Sequence, residues 1–168
     1  MDFNAVLSDY GPMLGRIVAS YEADPAQQQE MLQEISLALW QALPKYRGEG
    51  SLKAFVARVA QNRAVSHVAK VVSAPRRAEL DENIACGTDG PEVRLEKEQQ
   101  RLKLLEAVRA LPLNLRQVTT LALEGFSHRE IAETLGITEN NATVRFARAK
   151  DALRLAMMQA TNARGDVS

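Results

Sequence analysis

The chain has 168 residues with 21 Lys+Arg against 21 Asp+Glu, a formal net charge of +0, 46% hydrophobic content and a single cysteine. That length fits one large domain or two small ones. No apolar run is long enough to span a membrane, and the N-terminus lacks a signal peptide's basic-then-apolar order, so no membrane insertion is expected. Cys86 alone supplies neither an intrachain disulfide nor a zinc cluster, and a reducing cytoplasm is the expected setting.

The neutral total conceals a segregation of charge. Residues 1–44 carry one base and six acids, net −5, whereas residues 45–79 carry eight bases and two acids, net +6. Residues 80–107 are net −3 and residues 108–168 net +2. A +6 block beside a −5 block points to two different partners, one of them polyanionic.

Phe3, Val6, Leu7, Tyr10, Met13, Leu14, Ile17, Val18 and Tyr21 form one amphipathic helical stripe, with a kink or short break expected at Gly11-Pro12. Asp24-Pro25 reads as cap and first residue of the next helix, whose stripe runs through Ile35, Leu39 and Leu43 until Pro44 stops it. Trp40, a large apolar residue beside that stripe, is expected in the core on this pattern. A tight basic loop, Lys45 to Gly50, leads to Ser51 capping a third helix. There the apolar set shifts from Leu52, Phe55, Val56 and Val59 to Val65, Val68 and Val72, so the helix is either covered on two sides or interrupted.

Residues 74–94 read as a linker, with Pro75, Pro91, Gly87 and Gly90 and no apolar period before Glu92. Helical spacing resumes with Leu95, Leu102, Leu105 and Val108; Pro112 breaks it, and a further helix carries Leu115, Val118 and Leu121. Ser127 and Glu130 form a capping box, Ile131, Ala132 and Leu135 make a short apolar face, and Gly136 supplies the turn. Thr138 caps the last helix, on which Ala142, Phe146, Ala149 and Leu153 face inward. This is a helix-turn-helix. At about 100° per residue the opposite side presents Asn140, Asn141, Val144 and Arg148, flanked by Thr143, Arg145 and Ala147. Arg pairs with guanine, Asn with adenine, and a small apolar group meets a thymine methyl. The expected fold is all-α: a helical domain over 1–73, the linker, a second helical domain over 95–158 and a tail over 159–168.

The chain resembles the extracytoplasmic-function (ECF) sigma factors of the sigma-70 superfamily. The resemblance rests on Leu32–Ile35, Leu39–Leu43, Tyr46–Phe55 and Val59–Arg63, then Leu111-Pro112, Leu123–Ser127, Glu130–Ile137 and Arg145–Lys150, in the family's order and with its linker between. It implies that the first domain corresponds to sigma region 2, with Glu30, Gln33, Glu34, Leu37 and Trp40 contacting core RNA polymerase. Tyr46, Arg47, Lys53, Arg58, Asn62 and Arg63 would then take the −10 element of promoter DNA, the loop and Asn62 holding a flipped base. The second domain corresponds to region 4, with Asn141, Thr143, Val144, Arg145, Ala147 and Arg148 at the −35 element. An anti-sigma factor is a further candidate partner. The chain departs from the family at Thr143, where Lys or Arg is common, at Ala147, where His is common, at Phe55, where Trp is common, and in the Asp-poor stretch Gln27–Glu30. No catalytic constellation and no cofactor are expected, since His67 and His128 lie in different domains. The alternative is a stand-alone regulator with a sensory first domain, which would bind its operator without polymerase.

Overall fold

The computed structural model describes residues 2–73 and 92–165, with the backbone alone for 71–73, 92–94 and 160–165. The expected linker lies largely outside the described residues, as does Cys86. The described residues form seven α-helices: α1 Phe3–Tyr21, α2 Pro25–Ala42, α3 Leu52–Ser73, α4 Glu92–Arg109, α5 Leu113–Leu123, α6 His128–Leu135 and α7 Glu139–Gly165. A 3-10 turn, Leu43–Lys45, follows α2, and no strand occurs among the described residues. α7 continues past residue 158, where the sequence suggested the second domain ends.

Of the kink or short break expected at Gly11-Pro12, the break is absent, since α1 runs through both residues. Pro12 has no N–H to offer the Ser8 carbonyl, but Val6 before it and Met13, Leu14, Ile17 and Val18 after it are buried on one face. That shared burial outweighs one missing hydrogen bond. Asp2 and Asp24 cap α1 and α2 by accepting from the Asn4 and Ala26 amides at 3.1 and 3.2 Å. Met31, Ile35 and Leu39 of α2 pack on α1 and α3, and the small Val56, Ala57, Ala60 and Ala64 keep α3 close to both.

α3 is continuous, which resolves its shifting apolar face: α1 and α2 cover one side, while α5 and α6 pack elsewhere along it. The side chain of Val72 lies outside the described set. The two helical domains therefore share one apolar core, in which Val118, Leu121, Phe126, Ile131, Ala132 and Ala142 continue the cluster begun by α1–α3.

Polar contacts stitch the same boundary. Arg16 Nε and a terminal nitrogen reach both carboxylate oxygens of Glu124 at 2.7–3.1 Å. Lys53 Nζ donates to the Glu124 carbonyl at 2.9 Å and sits 5.0 Å from the centre of the Phe126 ring. Arg109 Nε donates to the Ala19 carbonyl at 2.8 Å, and the Arg116 guanidinium lies over the Tyr21 ring at 5.5 Å. In the interior the Tyr21 hydroxyl donates to Gln61 Oε1, and Gln61 Nε2 donates to Thr120 Oγ1 at 2.6 Å, so α1, α3 and α5 are joined by a buried polar relay. Burial pushes the Tyr21 phenol well above its ordinary range, against the lowering effect of Thr120 and of the Arg116 charge.

Candidate nucleic-acid interface

The helix-turn-helix is fixed by local chemistry. Glu130 N donates to Ser127 Oγ at 3.1 Å and Ser127 N to Glu130 Oε1 at 3.0 Å, closing the capping box. Hydrogen bonding from Ser127 to the carboxylate, that of its backbone N–H foremost, holds the Glu130 carboxyl below the usual range. Gly136 ends α6 at φ 71°, a backbone state that costs an L side chain strain. Asn141 N donates to Thr138 Oγ1 at 3.0 Å and starts α7. Ala142 and Ala149 are fully buried beneath α7, and Ala132 lies buried below its crossing.

This frame leaves Asn140, Thr143, Val144, Ala147 and Arg148 exposed on α7, with Asn141 and Arg145 half-buried. Val144 is 39% exposed. Arg145 Nε donates to Asn141 Oδ1 at 3.1 Å, which occupies one of the two lone pairs of the amide oxygen. His128 Nδ1 lies 3.0 Å from Thr143 Oγ1, and its ring meets Phe146 edge-on at 5.2 Å. Sequence reasoning missed this contact, although His128 sits at the first position of α6.

The basic candidates of the first domain do not form one uniform stripe. Arg47 stands on the loop, which turns through Gly48 and Gly50 at φ 80° and 76°, and Arg58, Asn62 and Arg63 are exposed on α3. Tyr46 is half-buried: its hydroxyl donates to the Gly50 carbonyl at 2.7 Å and its ring packs on Phe55 at 5.0 Å. Phe55 is likewise half-buried against the core. Lys53 is held by the Glu124 carbonyl. Asn62 and Arg63 border a groove of about 370 Å³ between α2 and α3, which Gln41, Lys45 and Ser66 also line. Those last three were not singled out from the sequence, because they lie on different elements that only the fold brings together.

On α2, Glu30 and Gln33 are exposed and Glu34 is half-buried. Leu37 and Trp40 are 57% and 60% exposed, so the expectation that Trp40 belongs to the core is overturned. Ile35, Leu39 and Leu43 complete the buried stripe, and Trp40, one residue past Leu39, turns outward. His67 is buried, its ring nitrogens 3.8 Å from Glu34 Oε2 and 4.0 Å from Glu22 Oε2, with no hydrogen bond to either. Among the described residues no group of His, Cys, Asp and Glu is arranged to hold a metal, and no helix is long and apolar enough to cross a membrane.

Two helical domains, one ending in an exposed and rigidly capped helix-turn-helix, define a protein of the DNA-binding class. The family model of Sigma-70 region 2 matches residues 6–72, and that of Sigma-70, region 4, matches residues 101–153. The chain is 25% identical over 161 residues to the ECF RNA polymerase sigma-E factor of Escherichia coli (strain K12), covering 90% of this chain and 84% of that protein. The same identity and coverage hold for the ECF RNA polymerase sigma-E factor of Salmonella typhimurium (strain LT2). Among solved structures, CnrH in complex with the cytosolic domain of CnrY superposes with a TM-score of 0.66 at 20% identity, covering 94% of this chain and 88% of that one. The sigma factor RpoE in complex with the anti-sigma factor NepR from Bartonella quintana gives 0.67 at 18%, covering 94% and 97%. The chain belongs to the sigma-70 family of transcription initiation factors, in its ECF group.

Proposed function

We propose that the protein binds core RNA polymerase in the cytoplasm and directs initiation at promoters carrying defined −10 and −35 elements, opening the DNA at the −10 element. In this reading Glu30, Gln33, Glu34, Leu37 and Trp40 dock on the polymerase. The observation that carries it is the uncovered pair Leu37 and Trp40 on an acidic helix, in the same chain as a helix-turn-helix. Exposed large apolar side chains with charged neighbours suit a protein partner, not DNA.

Arg47, Arg58 and Arg63 neutralise phosphates of the −10 region, and Asn62, at the rim of the groove, reads a base taken out of the stack. Tyr46 holds the loop in shape through its bond to Gly50 and offers ring surface beside it. Asn141, Thr143, Val144, Arg145, Ala147 and Arg148 read the −35 major groove. One of the three Lys53 donors is taken by the Glu124 carbonyl, so the packed second domain holds this ammonium in place and shares it with any phosphate it meets. Together with the −5 charge of residues 1–44, this makes the free chain a weak DNA binder. Polymerase masks the acidic helices and fixes both domains at promoter spacing, which raises effective concentration. The relatives' anti-sigma complexes support an anti-sigma factor as a further partner.

An anisotropy titration of promoter DNA at near-physiological salt, with and without core polymerase, tests this. Specific promoter binding is expected only with core present. Nanomolar, sequence-specific binding by the chain alone, unaffected by polymerase, would overturn the reading in favour of a stand-alone regulator.

A further inference from the structure

Thr143 stands on the exposed face of α7, but its hydroxyl is already occupied. The Oγ1 atom lies 3.0 Å from the Glu139 carbonyl one turn back and 3.0 Å from His128 Nδ1 across the turn. A hydroxyl has one proton to donate. If His128 carries its proton on Nδ1, that nitrogen donates to Oγ1 and the threonine proton goes to Glu139. With the proton on Nε2, Nδ1 and the Glu139 carbonyl both accept from the same threonine proton. In either tautomer the proton stays inside the protein. Thr143 therefore has nothing to donate to the groove acceptors of guanine, adenine or thymine unless it gives up an internal bond.

What remains to face the groove is its methyl group, beside the acceptor side of Oγ1, which offers nothing to a guanine or to the thymine carbonyl. His128 is itself held by the edge-on contact with Phe146, whose ring also carries Lys150 Nζ at 5.1 Å, so the clamp that α6 places on Thr143 is braced by α7 itself. Beside it on α7 stand Val144 and Ala147, exposed and without polar atoms in their side chains. The base-reading face is thus more apolar than its neighbouring asparagines and arginines suggest.

We infer that Thr143 reads the −35 element through its methyl group, selecting a thymine by contact with the C5-methyl, and that His128 is the positioning residue that locks it in this role. The inference rests on the proposal that α7 enters the −35 major groove. Apart from thymine, no base presents an apolar group there. Thr143 also explains how a side chain shorter and less charged than Lys or Arg can discriminate at this place: it excludes bases that demand a donor instead of supplying one.

The test uses holoenzyme in transcription from a library randomised at the −35 element, then templates in which each thymine of the selected element, on either strand, is replaced singly by deoxyuridine. Uracil differs from thymine only by the missing methyl. The unaltered protein should lose about fourfold in initiation at one such position, the equivalent of ~0.8 kcal/mol for one buried methyl-sized group. Thr143→Val, which keeps the methyl and puts a second one in place of the hydroxyl, should retain that sensitivity, because with a methyl at both γ positions one meets the base without the His128 contact. Thr143→Ser, which keeps the hydroxyl and removes the methyl, should lose it, and His128→Ala should reduce it while leaving helix content by circular dichroism unchanged. Sensitivity kept by Thr143→Ser, or lost by Thr143→Val, overturns the inference, as does indifference to deoxyuridine throughout. A holoenzyme with no −35 preference of any kind would instead overturn the promoter reading on which it rests.

Discussion

Arg16 and Glu124, 108 positions apart in the chain, form a two-pronged ion pair in which the guanidinium is 62% exposed and the carboxylate only 7%. The hydrogen bond to Glu124 raises the already high pKa of Arg16, so the guanidinium keeps its charge at any ordinary pH. The two partners are not equivalent. Arg16→Ala strands a mostly covered carboxylate and should cost ~1–3 kcal/mol of stability. Glu124→Gln leaves an arginine that water can solvate and should cost about 0.2–1 kcal/mol. Urea denaturation of the two variants checks the order; equal losses would mean that Glu124 is well hydrated after all.

The Tyr21–Gln61–Thr120 relay makes the protein sensitive to alkali. An unfolded chain releases its tyrosine protons near pH ~10, while burial makes Tyr21 hold its proton to a higher pH in the folded state. Above about pH 10 the unfolded state is thus the one that binds fewer protons, and stability must fall as pH rises. Tyr21→Phe should flatten that fall. At neutral pH it should cost ~1–3 kcal/mol, since Gln61 Oε1 would be left buried without its donor. Denaturant midpoints measured from neutral pH to about pH 11 for both proteins give the comparison, and parallel curves would remove Tyr21 from the account.

Asn62 borders the groove between α2 and α3 without taking part in the core. Asn62→Ala should leave binding to core polymerase intact and weaken strand opening, an amide reading a base edge being worth about 1–3 kcal/mol. Permanganate footprinting of unpaired thymines with the variant holoenzyme reads this directly. Unchanged opening and unchanged −10 preference would exclude Asn62 from base recognition.

Arg148 and Lys150 lie two residues apart on α7 and differ in what they touch. Arg148 is exposed on the side of α7 proposed to read bases, whereas Lys150 rests on the Phe146 ring. Arg148→Ala should relax −35 preference, with ~1–3 kcal/mol of discrimination lost at one base pair. Lys150→Ala should leave preference alone. Transcription from the randomised −35 library separates them, and equal, sequence-independent losses would confine Arg148 to phosphate contact.

What the sequence made legible was local. The capping box, Gly136 and the Thr138 cap act within a few residues of themselves, and α6 and α7 begin and end where those signals lie. Two local readings failed because burial decided them. Pro12 did not interrupt α1, whose stripe is covered on both sides of it, and Trp40 turned outward although the stripe beside it is core. The joining of the domains was not legible at all. Lys53 reads as a −10 contact and Arg16 carries no role in the sequence, and no periodicity links either to Glu124 near the far end of the chain. Likewise Gln61 looked like one more polar residue beside Asn62, while the fold buries it between Tyr21 and Thr120.

The shared core also sets an order of events during synthesis. Gln61 leaves the ribosome with Tyr21 already available to donate to its carbonyl oxygen, but the acceptor for its amide nitrogen is Thr120, 59 residues later. At roughly 5–20 residues per second that interval lasts about 3–12 s. During it, α1–α3 form a half-finished unit, with an apolar side that only Val118, Leu121, Phe126 and Ile131 will close. A nascent chain stopped before residue 118 therefore keeps the α1–α3 part of the core but exposes the apolar side that α5 and α6 cover in the finished molecule, with Gln61 Nε2 still without its acceptor.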